Sequence, residues 1–215
     1  MTVRAESSSL LRARLAAGTA FFVQGLLFIS LTTRLPQVQQ KWSLDELAVS
    51  GLLLMVVLLA GVGSVVAEVV AARSSSAVVV RVGLVVATVG FAVLLVAPAF
   101  GVFVAGLAAY GLALGLVDAS SNMQAVTVEH LYRRPILPSF HGAWTFGGLL
   151  GVPMERLARI FMSPGPIYEP EGAAIDYWRC GRALFAAGFR AGDLVHNSFS
   201  YHFTPAGAMM ESGAQ

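Results

Sequence analysis

Four long apolar stretches constrain this chain more than any other feature of its sequence. They cover residues 15–33, 47–70, 78–96 and 100–128. A helix needs about 20 apolar residues to cross a hydrocarbon core of ~30 Å, and each stretch is close to that length or longer. Transmembrane strands are shorter and alternate in polarity, which these stretches do not. The sequence therefore predicts an all-α membrane protein that forms part of a helical bundle.

The scarcity of charge supports the same conclusion. Hydrophobic residues make up 56% of the 215-residue chain and charged residues only 12%, against about a quarter charged residues in a soluble domain. So few charges do not cover the surface of a water-soluble fold, whereas a lipid bilayer accepts apolar side chains directly. The formal net charge of +2 gives no sign of a nucleic-acid-binding surface. The lone Cys180 excludes an internal disulfide, and no Cys/His cluster indicates a metal site.

The first apolar stretch has a rival interpretation as a secretory signal peptide, since arginines precede it. The apolar region of a signal peptide is roughly 7–15 residues long and ends near a cleavage site made of small residues. The run at 15–33 is longer, and no such site precedes Arg34. These features favour an uncleaved first span.

The connections between the stretches differ in charge. Only Arg34 and Lys41 fall on one side if the spans alternate in direction. The other side carries Arg4, Arg12, Arg14, Arg73, Arg81, Arg133 and Arg134. Cytoplasmic loops are enriched in Lys and Arg, so this asymmetry predicts a cytoplasmic N-terminus. The protein is expected to be a multi-pass component of a bacterial-type inner (plasma) membrane.

Local signals indicate where the second and third spans begin and end. Ser43 to Glu46 read as a capping box, in which the Ser43 hydroxyl accepts from a free amide and Glu46 reaches back to it. Pro98 is expected to end the third span and to leave room only for a tight turn.

A fifth apolar stretch at residues 139–151 stops too early to cross a bilayer as a helix, and charge returns at Arg159. From residue 152 to residue 215 acidic residues and prolines appear at the density of a soluble protein. This tail is predicted to contain a helix at 175–187 that Gly188 stops, a turn at 192–193, a strand at 194–197 and a helix at 205–212. We expect a small soluble α/β domain there.

Five polar residues within or beside the spans are candidates for a solute path: Gln24, Asp118, Asn122, Gln124 and His141. Polar groups in hydrocarbon are costly unless they face a bundle interior or a wet cavity. Asp118 and Asn122 are four residues apart and share one helix face. Asp118 is the candidate proton or ion site. The alternative is that these side chains only satisfy one another through hydrogen bonds between helices, or lie at the level of the lipid headgroups.

The segments 115–129 and 138–148, together with residues 34–36, resemble the fourth helix, the fifth helix and the end of the first helix of the major facilitator superfamily. The likeness is greatest to the fucose-permease-like branch and covers residues 10–151. It implies a twelve-helix transporter that moves a small polar solute by alternating access between two six-helix halves.

The resemblance also implies roles for single residues. Relatives in this branch use a carboxylate in the fourth helix for proton coupling, and Asp118 is the matching acid; they often carry a second acid in the first helix, where this chain has Gln24. A Gly/Asp/Arg gating motif normally follows the second helix, and Glu68 and Arg73 are its remnants here. The expected partners are the lipid bilayer, a small polar solute with or without protons, and the missing second half of the transporter.

The tail has a second resemblance. Residues 159–170 and 190–197 look like phenylacetate–CoA ligases of the adenylate-forming superfamily, and the likeness covers residues 152–215. Such enzymes hold ATP phosphates with a Ser/Thr/Gly-rich loop. The matching stretch at 162–166 contains two prolines and no Lys. No bound cofactor and no ligase activity are therefore expected. The chain reads as a fusion of an incomplete, inactive permease with a ligase-like piece; the alternative is a truncated ligase-like enzyme joined to membrane helices.

Overall fold

The structure is a computed structural model that describes residues 2–152, 157–163, 167–173, 175–199 and 205–215. These residues form two compact units, Met1–Gly151 and Val152–Gln215. The first unit is helical and the second is mixed, so the two are described separately.

The helical unit contains six helices: α1 Thr2–Thr32, α2 Leu35–Lys41, α3 Glu46–Arg73, α4 Ser76–Val96, α5 Phe100–Tyr132 and α6 Leu137–Gly151. Helices α1, α3, α4 and α5 are long and apolar enough to cross a membrane, which confirms the four predicted spans as helices. Helix α5 continues beyond the predicted end at residue 128, so Asp118 lies about 21 Å along the helix axis from Tyr132. Asp118 therefore lies near the middle of its helix.

The start of α3 differs from the predicted capping box. Asp45, and not Ser43, is the N-cap residue: its carboxylate accepts a hydrogen bond of 2.7 Å from the amide of Ala48. Ser43 has a positive φ of 49° and belongs to the turn before the helix. The prediction was wrong because two cap-forming residues lie two positions apart, and backbone geometry chose the second.

Helix α2 is an element that the sequence analysis missed. Pro36 stands in its first turn, where a missing N–H costs nothing and the fixed φ favours a helix. The ammonium group of Lys41 donates to the carbonyl oxygen of Ala97 at 3.1 Å, and the Trp42 ring packs against Phe100 and Phe103. These contacts attach α2 to the turn between α4 and α5.

Helix α5 is the centre of the bundle, packed against α3 and α4, while α1 packs mainly against α6. Glycines let the backbones approach: a Cβ atom at Gly63 of α3 would overlap the carbonyl oxygen of Leu112, and one at Gly115 of α5 would overlap that of Ala60. Such small-residue contacts are typical of membrane helices, which gain van der Waals contact where lipid supplies no hydrophobic driving force.

The connection from α5 to α6 is held by Glu129. Its carboxylate accepts from the backbone amides of Ile136 at 2.8 Å and Leu137 at 2.6 Å. Arg133 directly follows the last residue of α5, and its left-handed conformation turns the chain. The amides of Ile136 and Leu137 have no carbonyl partner within α6, because they lie at its start. Their hydrogen bonds to a charged acceptor therefore fix where α6 begins.

The second unit has an antiparallel pair of strands, β1 Leu157–Ser163 and β2 Ile167–Gly172, followed by helices α7 Cys180–Ala186 and α8 Ala206–Ala214. This pair of strands was not predicted. Arg159 and Glu171 face each other in its register and form an ion pair. The prolines at positions 164 and 166, in the ligase-like stretch, lie outside the described residues.

Two predictions in this unit were wrong and one was confirmed. The helix predicted at 175–187 begins only at Cys180, because residues 175–178 form turns and the Asp176 carboxylate accepts from the amide of Gly181 at 3.0 Å. The strand predicted at 194–197 is irregular chain in the described residues, since no neighbouring strand pairs with it there. The helix predicted at 205–212 is confirmed as α8.

Candidate functional site

A cavity of about 460 Å³ opens within the helical unit. Helices α1, α3, α5 and α6 all contribute to its wall, whereas the described residues of α4 do not. Three of the five predicted path residues line it: Gln24 from α1, Asp118 from α5 and His141 from α6. The fold therefore brings together side chains that are far apart in the sequence.

Asp118 and Gln24 are joined by a hydrogen bond across the cavity wall. The side-chain amide of Gln24 donates to Oδ1 of Asp118 at 3.1 Å. Asp118 itself is exposed to the open space. In the described residues no Lys or Arg side chain forms an ion pair with Asp118. This is the arrangement expected of a polar group that faces a wet cavity and not lipid.

Gln24 also presents an unused acceptor. Its side chain is only 8% exposed, and its carbonyl oxygen Oε1 is buried without a hydrogen-bond partner among the described residues. An unmade hydrogen bond at a buried carbonyl oxygen costs about 1–3 kcal/mol. Such a group is typical of a site that awaits a ligand or a water molecule.

Aromatic rings form the remaining wall. Phe28 of α1 and Trp144 of α6 lie with ring centroids 5.9 Å apart, and the imidazole of His141 meets Phe21 edge-on at 5.3 Å. All four residues line the cavity. A polar floor with an aromatic wall is a common composition for a small-molecule site.

Helix α3 contributes a small polar group. The hydroxyl of Ser64 donates to the carbonyl oxygen of Ala60 at 3.0 Å, so its oxygen keeps accepting capacity toward the cavity that Ser64 lines. Ser64 and Phe28 were not predicted to line the path. A serine within the apolar stretch 47–70 was the available signal for the first, whereas a phenylalanine among apolar residues carries no such signal.

The other predicted path residues lie outside the cavity lining. The side-chain amide of Asn122 donates to the backbone carbonyl of Asp118 at 2.9 Å, within its own helix. The side-chain amide of Gln124 donates to the hydroxyl of Ser76 at 2.5 Å and joins α5 to the start of α4. Only the bond of Gln124 joins two helices, and the role of both residues stays a prediction.

The predicted gating remnants are Glu68 and Arg73, which are both exposed on the last part of α3. No ion pair joins them in the described part of the chain, and neither lines the cavity. Their role stays a prediction. Over the residues that the structure describes, no group of three metal-ligating side chains comes together.

The chain is similar to two curated proteins. It is 29% identical over 153 residues to an uncharacterized transporter of Sinorhizobium fredii. The matched residues make up 69% of this chain and 39% of that protein. It is 28% identical over 136 residues to an uncharacterized MFS-type transporter of Yersinia pestis. The matched residues make up 61% of this chain and 34% of that protein. No protein-family model matches the chain, and no solved structure does.

These matches bear on the general class of the protein. The chain spans between a third and two fifths of the length of the curated relatives it matches. Both names support a transporter, and the name of the Yersinia pestis protein supports one of the MFS type; they leave the branch and the solute open. Together with the four apolar helices, the similarity indicates a multi-pass membrane protein related to MFS-type transporters.

Proposed function

We propose that this chain supplies one half of a permease of the major facilitator type, which moves a small polar solute across the inner membrane by alternating access. The cavity carries the proposal: its polar residues come from four helices, three of which are long enough to cross a membrane, and converge on one space. Ionisable residues in membrane helices mark solute or ion paths because they are costly elsewhere. The resemblance of segments 115–129 and 138–148 supports placing the permease in the fucose-permease-like branch.

The cavity is partly open, as a half-site would be. The relatives extend well beyond the matched region, and transporters of this type place the substrate between two repeats. We therefore expect a second set of helices to complete the path in the working transporter. Asp118 is the proposed ion or proton site, and the 215-residue chain is not expected to move solute by itself.

Adjacent residues of α3 provide a test that needs no known substrate. Ser64 lines the cavity, whereas Val65 is 63% exposed on the outer face of the bundle. Single cysteines at these positions, in a Cys180→Ser background, lie at nearly the same depth in the membrane. We expect Ser64→Cys to react with a hydrophilic maleimide about tenfold faster than Val65→Cys, because thiolate forms in water and not in lipid.

The measurement is the labelling rate of the two variants in lipid nanodiscs. Denatured protein, in which both thiols label equally, serves as the control for reagent quality. Equal labelling rates in the folded protein, or a faster rate at Val65→Cys, would show that the cavity does not hold water and would contradict the proposed path.

The proposed orientation, with a cytoplasmic N-terminus, can be tested with the same chemistry. Ser43 lies between α2 and α3, and Ser74 directly follows α3. We expect an impermeant thiol reagent to label Ser43→Cys in intact cells and Ser74→Cys only after the membrane is permeabilised, since arginine-rich loops stay inside. The reverse pattern would invert the topology.

A further inference from the structure

We propose that the cavity accepts a small organic cation, an ammonium ion with N–H donors, bound between Asp118 and the aromatic wall. The inference rests on the function proposed above and adds the chemical class of the solute. Three properties of the described residues support it: the charge of the lining, its unused acceptors and its aromatic surface.

The lining carries an uncompensated negative charge. Asp118 faces the open space, and the lining contains neither Lys nor Arg. The only partner that binds its carboxylate oxygens among the described residues is the neutral amide of Gln24. A carboxylate among membrane helices is strongly stabilised by a positive charge. A cationic solute supplies that charge, whereas an anionic solute adds repulsion.

The lining keeps several unused acceptors. One N–H of the Gln24 side-chain amide donates to Asp118, and the buried Oε1 of Gln24 has no partner among the described residues. The hydroxyl proton of Ser64 is directed at Ala60, so its oxygen can still accept. A solute with N–H donors can bind these oxygens, and an ammonium group offers up to three donors and no acceptor. Hydrogen bonds from a charged donor to these oxygens are stronger than those from a neutral hydroxyl.

The aromatic wall suits the same ligand. Phe28, Trp144 and Phe21 line the cavity, and the first two rings lie 5.9 Å apart. The faces of such rings attract cations, with Trp the strongest. A volume of about 460 Å³ is in the range of small-molecule sites.

His141 is the lining group that can itself become positive by binding a proton. A protonated His141 near the carboxylate would remove the need for a cationic ligand. Variants at this position therefore belong in the test, together with a neutral polyol, which also carries donors.

The experiment uses the full chain with Ser64→Cys and Cys180→Ser in nanodiscs at one fixed pH. Ethanolamine, ethylene glycol and glycolate are matched in size and differ in charge, and glucose is a larger polyol. Each is tested for protection of Ser64→Cys against the hydrophilic maleimide. We expect ethanolamine to protect at concentrations about tenfold lower than ethylene glycol, and glycolate not to protect.

Two further variants assign the preference to its residues. Asp118→Asn is expected to abolish the advantage of ethanolamine while Ser64→Cys stays accessible to the reagent without ligand, which shows that the cavity persists. His141→Gln is expected to retain the advantage, because the positive charge comes from the ligand. Loss of the advantage in His141→Gln would assign a role to the imidazole and overturn the proposal.

The outcomes separate the two proposals. The cation proposal is overturned if Ser64→Cys is accessible but ethanolamine protects no better than ethylene glycol. It is also overturned if glucose or glycolate protects best, or if none of the four compounds protects. In each of these cases the proposed path stands. If Ser64→Cys is inaccessible without any ligand, the path itself fails.

Discussion

Gly63→Ala is expected to lower the midpoint of thermal unfolding by about 2–10 °C, whereas Gly61→Ala, two residues earlier on α3, leaves it unchanged or raises it slightly. A Cβ atom at Gly63 would overlap the carbonyl oxygen of Leu112. The obstacle is backbone, so the two helices must separate. At Gly61 a Cβ atom meets nothing within 4 Å, and alanine favours a helix over glycine.

The measurement is thermal unfolding of the purified chain in one detergent, followed by loss of monodisperse protein on size-exclusion chromatography. The pair is matched because both changes add one methyl group to the same helix. Similar midpoints for the two variants would show that α3 and α5 do not approach as closely at Leu112 as the structure indicates.

The second large effect is expected at Glu129, because α6 begins where this carboxylate holds two backbone amides. Glu129→Ala leaves the amides of Ile136 and Leu137 without their charged acceptor, at a cost of about 2–4 kcal/mol in the free energy of unfolding. We expect hydrogen exchange at these two amides to accelerate by at least about tenfold. The loss matters for the site because α6 carries His141 and Trp144.

Glu129→Gln is the matched control, since its amide oxygen has nearly the same shape and still accepts hydrogen bonds without the charge. It should fall between the native chain and the alanine variant in both stability and exchange rate. If Glu129→Ala exchanges no faster than the native chain at residues 136 and 137, the turn is held by other contacts and the assigned role of Glu129 is wrong.

The helical spans were predictable because span length and low charge are local properties of the sequence. Each apolar stretch must form a helix in lipid, because a single segment can satisfy its backbone hydrogen bonds there only as a helix. The same reasoning identified Gln24, Asp118 and His141 as candidates, since a polar residue in an apolar stretch can be recognised without knowledge of its neighbours in space. The ends of the helices were harder to predict. Helix α5 extends to Tyr132, because its last turns are polar and do not belong to the apolar stretch.

Tertiary structure alone decided which polar residues share a space. Asn122 is one helical turn from Asp118, yet its amide binds its own helix, while Gln24, from another span, reaches the carboxylate. Ser64 and Phe28 enter the lining only because α3 and α1 turn those faces inward. Composition determined that helices cross a membrane, but the rotation of each helix about its axis depends on close backbone contacts such as those at Gly63 and Gly115, which exist only once the helices meet.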